Sequence, residues 1–135
     1  MATEIDKNFL EKIELLVDSK DDKAILSLLS EEHPADIAEI IDELGLDDAT
    51  YIFKLLSSEI SAEALMLIDE DDREKILQNL SAQEIAEEID ELDTDDAADI
   101  LSELPQERVT KVISEIEDDE HAKDIVDLLR YEEGT

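Results

Sequence analysis

The sequence predicts an all-α protein, an α-solenoid of about ten short helices, and three observations carry that prediction. Apolar residues recur at helical spacing, as in Ile37, Ile40, Ile41 and Leu44, and almost nothing alternates with the period of a strand. The chain repeats itself, since residues 33–80 laid over 81–128 without a gap give 17 identities in 48 positions. Punctuation is sparse, because Pro34 and Pro105 are the only prolines and each suits the first turn of a helix. Disorder is the usual reading of so acidic a chain with few aromatics. Here a 42% hydrophobic fraction, placed periodically, supports a folded one.

A finer period of 24 residues lies beneath the longer one. Ala38, Ala62 and Ala86 share one phase, and Ile41, Leu65, Ile89 and Ile113 share another. Leu44, Ile68, Leu92 and Ile116 follow, then the acidic pairs Asp47-Asp48, Asp71-Asp72, Asp95-Asp96 and Asp119-Glu120, then Leu56, Leu80, Leu104 and Leu128. Such a unit holds two helices of about ten residues and two tight turns. Helices that short are marginal alone and gain stability by stacking on neighbours.

The predicted helices are 5–17, 21–31, 35–44, 47–56, 61–68, 71–80, 83–92, 95–104, 106–116 and 118–131. The third enters at His33-Pro34 and carries the Ile37 stripe. Gly45 behind it suits a left-handed residue after a helix. Ile52, Phe53, Leu55 and Leu56 mark the fourth. Ser81 with Glu84 makes a capping box for the seventh, whose stripe is Ile85, Ile89 and Leu92. Asp47, Asp71, Asp95 and Asp119 open helices in phase and read as N-caps. His121 falls early in the last helix and is expected at the surface.

Charge narrows the function. With 42 Asp and Glu against 11 Lys and Arg, a net charge of −31 disfavours nucleic acid. The only glycines, Gly45 and Gly134, exclude a glycine-rich phosphate loop. The longest uncharged stretch, Ile76 to Gln83, is far short of the roughly 20 apolar residues of a membrane span. No signal peptide opens the chain, and the lack of cysteine fits the cytosol. No EF-hand loop, zinc ligand set or nucleophile motif occurs, and the chain does not read as an enzyme.

Among the many carboxylates, Asp99 stands apart. Its equivalents are Tyr51, Lys75 and Lys123, so no shared scaffold role asks for an acid there. It follows Asp95 by one helical turn, and two like charges at that spacing repel by a few tenths of a kcal/mol unless a cation bridges them. Oxygen ligands select Mg²⁺ or Ca²⁺, and Mg²⁺, which keeps its waters, suits a sparse shared site. Glu63 is less distinctive, because Glu39 and Glu87 share its phase.

The run His33-Pro34-Ala35-Asp36-Ile37-Ala38, followed by Ile41-Asp42-Glu43-Leu44, resembles the cytosolic N-terminal domain of MgtE-type magnesium transporters. Leu92-Asp93-Thr94-Asp95-Asp96-Ala97-Ala98-Asp99-Ile100-Leu101 is similar to the same domain. The ending Leu129-Arg130-Tyr131-Glu132-Glu133-Gly134-Thr135 is similar to its junction with paired CBS domains. The resemblance implies a right-handed superhelix over 1–131, with 132–135 beginning a linker toward CBS domains, and an ending that is a cut. It implies a regulatory domain on the cytoplasmic face of the membrane, belonging to a homodimeric transporter whose CBS domains and pore share its polypeptide. Docking on the CBS domains through weakly held, shared Mg²⁺ would favour the closed pore. Carried over by position, the metal-binding acids are Glu63, Asp95 and Asp99. Two rival readings are an acidic helical adaptor for a basic protein and a flagellar rotor-like helical repeat.

Overall fold

The computed structural model describes residues 5–133, and side chains as far as Arg130. The described residues hold ten α-helices and no strand. In order these are α1 (Lys7–Asp18), α2 (Asp22–Leu29), α3 (Pro34–Glu43), α4 (Leu46–Leu55), α5 (Ser58–Leu65), α6 (Glu70–Gln78), α7 (Ala82–Asp90), α8 (Thr94–Ser102), α9 (Gln106–Glu115) and α10 (Asp119–Glu133). The predicted class is therefore correct, and each predicted helix has a counterpart. Gly134 and Thr135, within the expected linker, lie outside the described residues.

Helices α3 to α9 begin at residues 34, 46, 58, 70, 82, 94 and 106, at steps of twelve. The 24-residue repeat is thus two helix-turn modules of equal length. The N-cap positions fall into two alternating sets: His33, Ser57, Ser81 and Pro105 precede the odd helices, and Gly45, Asp69 and Asp93 precede the even ones. Only α10 slips by one residue. There Asp118 Oδ1 accepts from the backbone N–H groups of Glu120 and His121 at 3.1 and 3.2 Å.

This register corrects the capping prediction. Asp47, Asp71 and Asp95 sit inside the first turn rather than at its cap, and Asp119 opens α10 itself. Their charge favours the positive end of the helix dipole, but the free N–H groups are not theirs to accept. Gly45 is corrected too. It has φ −62° and ψ 155°, an extended N-cap conformation open to any residue, and a Cβ there would meet nothing within 4 Å. The left-handed residue is Lys20, at φ 56°, where the Lys20 and Asp21 N–H groups reach back to Val17 O and Leu16 O and close α1 in a Schellman motif. Helix α5 starts at Ser58 and ends at Leu65, three residues ahead of the predicted span. Its stop is a turn in which Leu67 and Ile68 both donate to Ala64 O, tucking Ile68 into the core.

Two compact units divide the chain, one within residues 1–79 and one within 80–135. In the first, α1 packs on α2 and α4, α3 on α4 and α5, and α4 on α2 and α6. In the second, α7 packs on α9 and α8 on α10. The recurring contact joins helices two places apart, which is how stacked hairpins cover one another. The first core is built on Ile13, Ile25, Leu29, Ile37, Ile40, Ile41, Ile52, Leu65, Ile76 and Leu77. The second is built on Ile85, Ile89, Ala97, Ala98, Ile100, Leu101, Val112 and Ile125. Ala97 and Ala98 are fully buried on α8, while Asp95 and Asp99 lie exposed on it.

Candidate functional site

Helix α8 buries Ala97, Ala98, Ile100 and Leu101, and that choice of face turns Asp95 and Asp99 outward. Both are exposed, one turn apart, with Asp95 in the first turn of the helix. The Asp99 carbonyl accepts from Ser102 Oγ at 2.7 Å, which leaves its carboxylate uninvolved in that bond. Glu63 is exposed on α5, in the other compact unit. The structure thus brings two of the three expected acids onto one turn. Among the described residues no group of three or more His, Cys, Asp or Glu stands ready to hold a metal ion. A pair of exposed oxygen ligands can take only part of a Mg²⁺ shell, with waters or another surface completing it.

A second acidic feature escaped notice in the sequence. Asp42, at the end of α3, accepts from Asp69 N–H at 3.2 and 3.4 Å through its two oxygens, so it holds the turn that launches α6. Burial, followed by a side-chain hydrogen bond with Asp72, pushes its carboxyl up to about 6, while the Asp69 N–H pulls the other way. Forty-eight residues on, Asp90 accepts from Glu117 N–H at the equivalent place. Burial again raises its pKa, the nearby Glu117 and Asp118 charges add to the rise, and His121 opposes it. His121 is half-buried rather than on the surface, with Nε2 3.2 Å from the Ile89 carbonyl. The repeat held the signal, since Asp42 and Asp90 are among its identities and Asp69 lies over Glu117.

Two buried acids complete the electrostatic picture. Glu88 is 6% exposed and occupies the position where the first copy of the repeat has Ile40. Glu32 is 8% exposed at the turn before α3, and its Oε2 has no hydrogen-bond partner among the described residues. Tyr51, the counterpart of Asp99, instead donates its hydroxyl to the Asp22 carboxylate, and that bond raises the phenol's pKa. Position 99 is therefore open to a different use on α8 than on α4.

A family model described as the MgtE intracellular N domain matches residues 32–134. Among solved structures, the soluble part of a magnesium transporter resembles the chain with a TM-score of 0.75 at 22% identity. That likeness covers 90% of this chain and 48% of the solved one, so the chain spans about half the length of its structural relative. No curated protein matches the chain. No helix among the described residues is long and apolar enough to cross a membrane.

Proposed function

Because the chain belongs to the family of MgtE intracellular N domains, we propose that it is the Mg²⁺-sensing regulatory domain of a magnesium transporter, on the cytoplasmic side of the membrane. In this reading it docks on CBS domains of the same polypeptide through shared Mg²⁺ and so favours the closed pore, in a transporter that is a homodimer. The observation that carries the reading is the Asp95/Asp99 pair, exposed on one turn of α8 in a chain of net charge −31. Its repeat equivalents lack the second acid, so the pair is not a by-product of the scaffold. Glu63 is the third proposed ligand, from α5.

The physics is a balance of like charges. At low Mg²⁺ the uncompensated carboxylates push this surface from an acidic partner, and a divalent ion held between the two reverses the sign. Two unit charges about 4 Å apart interact by roughly 4 kcal/mol at an effective dielectric of 20, before desolvation and screening. Moving a closed-to-open equilibrium from 1:99 to 99:1 takes about 5.5 kcal/mol of differential binding, so a few bridging contacts suffice. Weak affinity is then an asset, because a sparse site responds to an abundant ion over its working range.

Replacing Asp95 and Asp99 by Asn in the full-length transporter tests the reading. Proteolysis of the junction after this domain should slow with rising Mg²⁺ in the wild type and lose that protection in the variant. Protection that survives the substitutions removes the pair from the mechanism. Protection that needs no Mg²⁺ at all favours an acidic adaptor instead.

A further inference from the structure

The repeat supplies a control for the outer face of α5. Position 60 corresponds to Asp36, Glu84 and Arg108, and position 67 to Glu43, Glu91 and Glu115, so α3, α7 and α9 carry a charge at both phases. Glu43 and Glu91 stay exposed although α5 packs on α3 and α9 on α7, so the second phase faces solvent rather than the stacking seam. In α5 and the turn that ends it, the two positions are Ile60 and Leu67, 38% and 55% exposed. Met66 beside them is half-buried where the other copies have Asp42, Asp90 and Ser114. A single exposed aliphatic is ordinary. Two on one face, each standing against three charges, mark a surface with a use. Glu63 lies between them, three residues after Ile60 and four before Leu67. Leu67 N–H donates to Ala64 O at 2.9 Å and Met66 keeps a right-handed helical backbone, so the turn carries Leu67 along the same face.

We propose that Ile60 and Leu67 form an apolar seat on either side of Glu63, and that the CBS surface sharing Mg²⁺ with Glu63 rests on it when docked. The inference deepens the reading above and rests on it. Distance names the occupant. Mg²⁺ holds carboxylate oxygens at about 2.1 Å, so a partner acid bridged to Glu63 lies within about 4 Å of it. Side chains three and four residues away on a helix are only about 5–6 Å off, so a surface brought that near covers Ile60 and Leu67 as well. The chemistry of that surface follows: a carboxylate for the ion, with aliphatic side chains around it. The seat gives the ion a discrimination that charge lacks, because Mg²⁺ alone would join any two acidic surfaces, whereas the apolar contact closes in one register only. Water excluded by the two aliphatics also strengthens the attraction between ion and carboxylates.

The test is the Mg²⁺ concentration that half-protects the junction after this domain from proteolysis in the full-length transporter. Ile60→Gln with Leu67→Gln changes no charge and puts polar groups where three other copies already carry them, so the fold should persist, with an unchanged Tm for the 135-residue chain. The midpoint should rise by about tenfold, the loss of two half-exposed aliphatics from a dry contact. Ile60→Ala with Leu67→Ala, which trims the seat without adding a polar group, should raise it about threefold. Leu15→Gln, at a position 68% exposed on α1, should leave it in place. An unmoved midpoint in the Gln pair, or an equal rise for Leu15→Gln, overturns the seat. Neither outcome touches the reading it rests on, which is scored by the loss of protection in Asp95→Asn with Asp99→Asn. A wild type that Mg²⁺ does not protect overturns both.

Discussion

Asp42 and Asp90 occupy the same place in two copies of one repeat and meet different neighbours there. Each lies at the end of a helix and accepts a backbone N–H from the turn leading into the helix three places on, Asp42 from Asp69 and Asp90 from Glu117. Around Asp42 the company is carboxylic, with Asp72 hydrogen-bonded to it and Asp69 beside it. Around Asp90 one neighbour is His121, which replaces Arg73 in the repeat and moderates the negative field. A repeat therefore preserves backbone geometry more strictly than electrostatics. A turn needs an acceptor at that spot, while the charge balance around the acceptor is free to drift.

The largest expected effect sets buried against half-buried members of one phase. Ile89→Ala should destabilise the chain by about 2–5 kcal/mol, the range for emptying a packed core site. Ile113→Ala should lower stability by only about 1 kcal/mol, because much of that side chain already meets water. Equal losses in denaturant titrations would mean that the two positions are packed alike, against the difference in burial between them.

Next comes pH. Folding favours the protonated form of Asp42, so the penalty of its charge is present above about pH 6 and fades as pH falls toward the ordinary carboxylate value. Asp42→Asn keeps an acceptor for Asp69 N–H and offers a donor to Asp72. It should raise the Tm at pH 7 by several degrees, about 1 kcal/mol after solvent screening, and by little at pH 4.5. Asp90→Asn should gain less, since His121 already offsets part of the repulsion. A gain that is the same at both pH values would assign the effect to something other than titration of Asp42.

Smaller effects lie at the caps. Ser81 Oγ accepts from Glu84 N–H at 3.1 Å while Glu84 Oε1 accepts from Ser81 N–H at 2.8 Å, so Ser81→Ala should cost about 1 kcal/mol. Ser57, at the same phase, makes no side-chain capping bond, and Ser57→Ala should change stability by a few tenths. Lys20→Gly, relieving a left-handed residue at φ 56°, should stabilise by up to about 1 kcal/mol in a thermal melt.

The helices were legible because their stripes are aliphatic and their spacing is regular, and the exposed Asp95/Asp99 turn followed from the same periodicity. Capping was misjudged by two residues because acids fill the first turn as readily as the cap, and composition alone does not separate dipole compensation from hydrogen bonding. Gly45 looked like a left-handed terminator, but twelve-residue modules place it at the next helix's start. His121 and Arg73 were beyond periodicity altogether, since each acts through a carbonyl on another turn of chain. Glu88 was visible as the single mismatch in the run 37–44 against 85–92, a substitution whose burial only three-dimensional packing reveals.

The central claim is that α8, rather than acidity in general, couples Mg²⁺ to docking. The most direct measurement is the Mg²⁺ concentration that half-inhibits transport by the full-length protein, compared between two variants that each remove two charges. Asp95→Asn with Asp99→Asn should shift that concentration upward by about fivefold or more, roughly 1 kcal/mol of lost coupling. Asp47→Asn with Asp48→Asn, on the equivalent turn of α4, should leave it in place. Equal shifts in both would contradict the account and return the response to bulk charge.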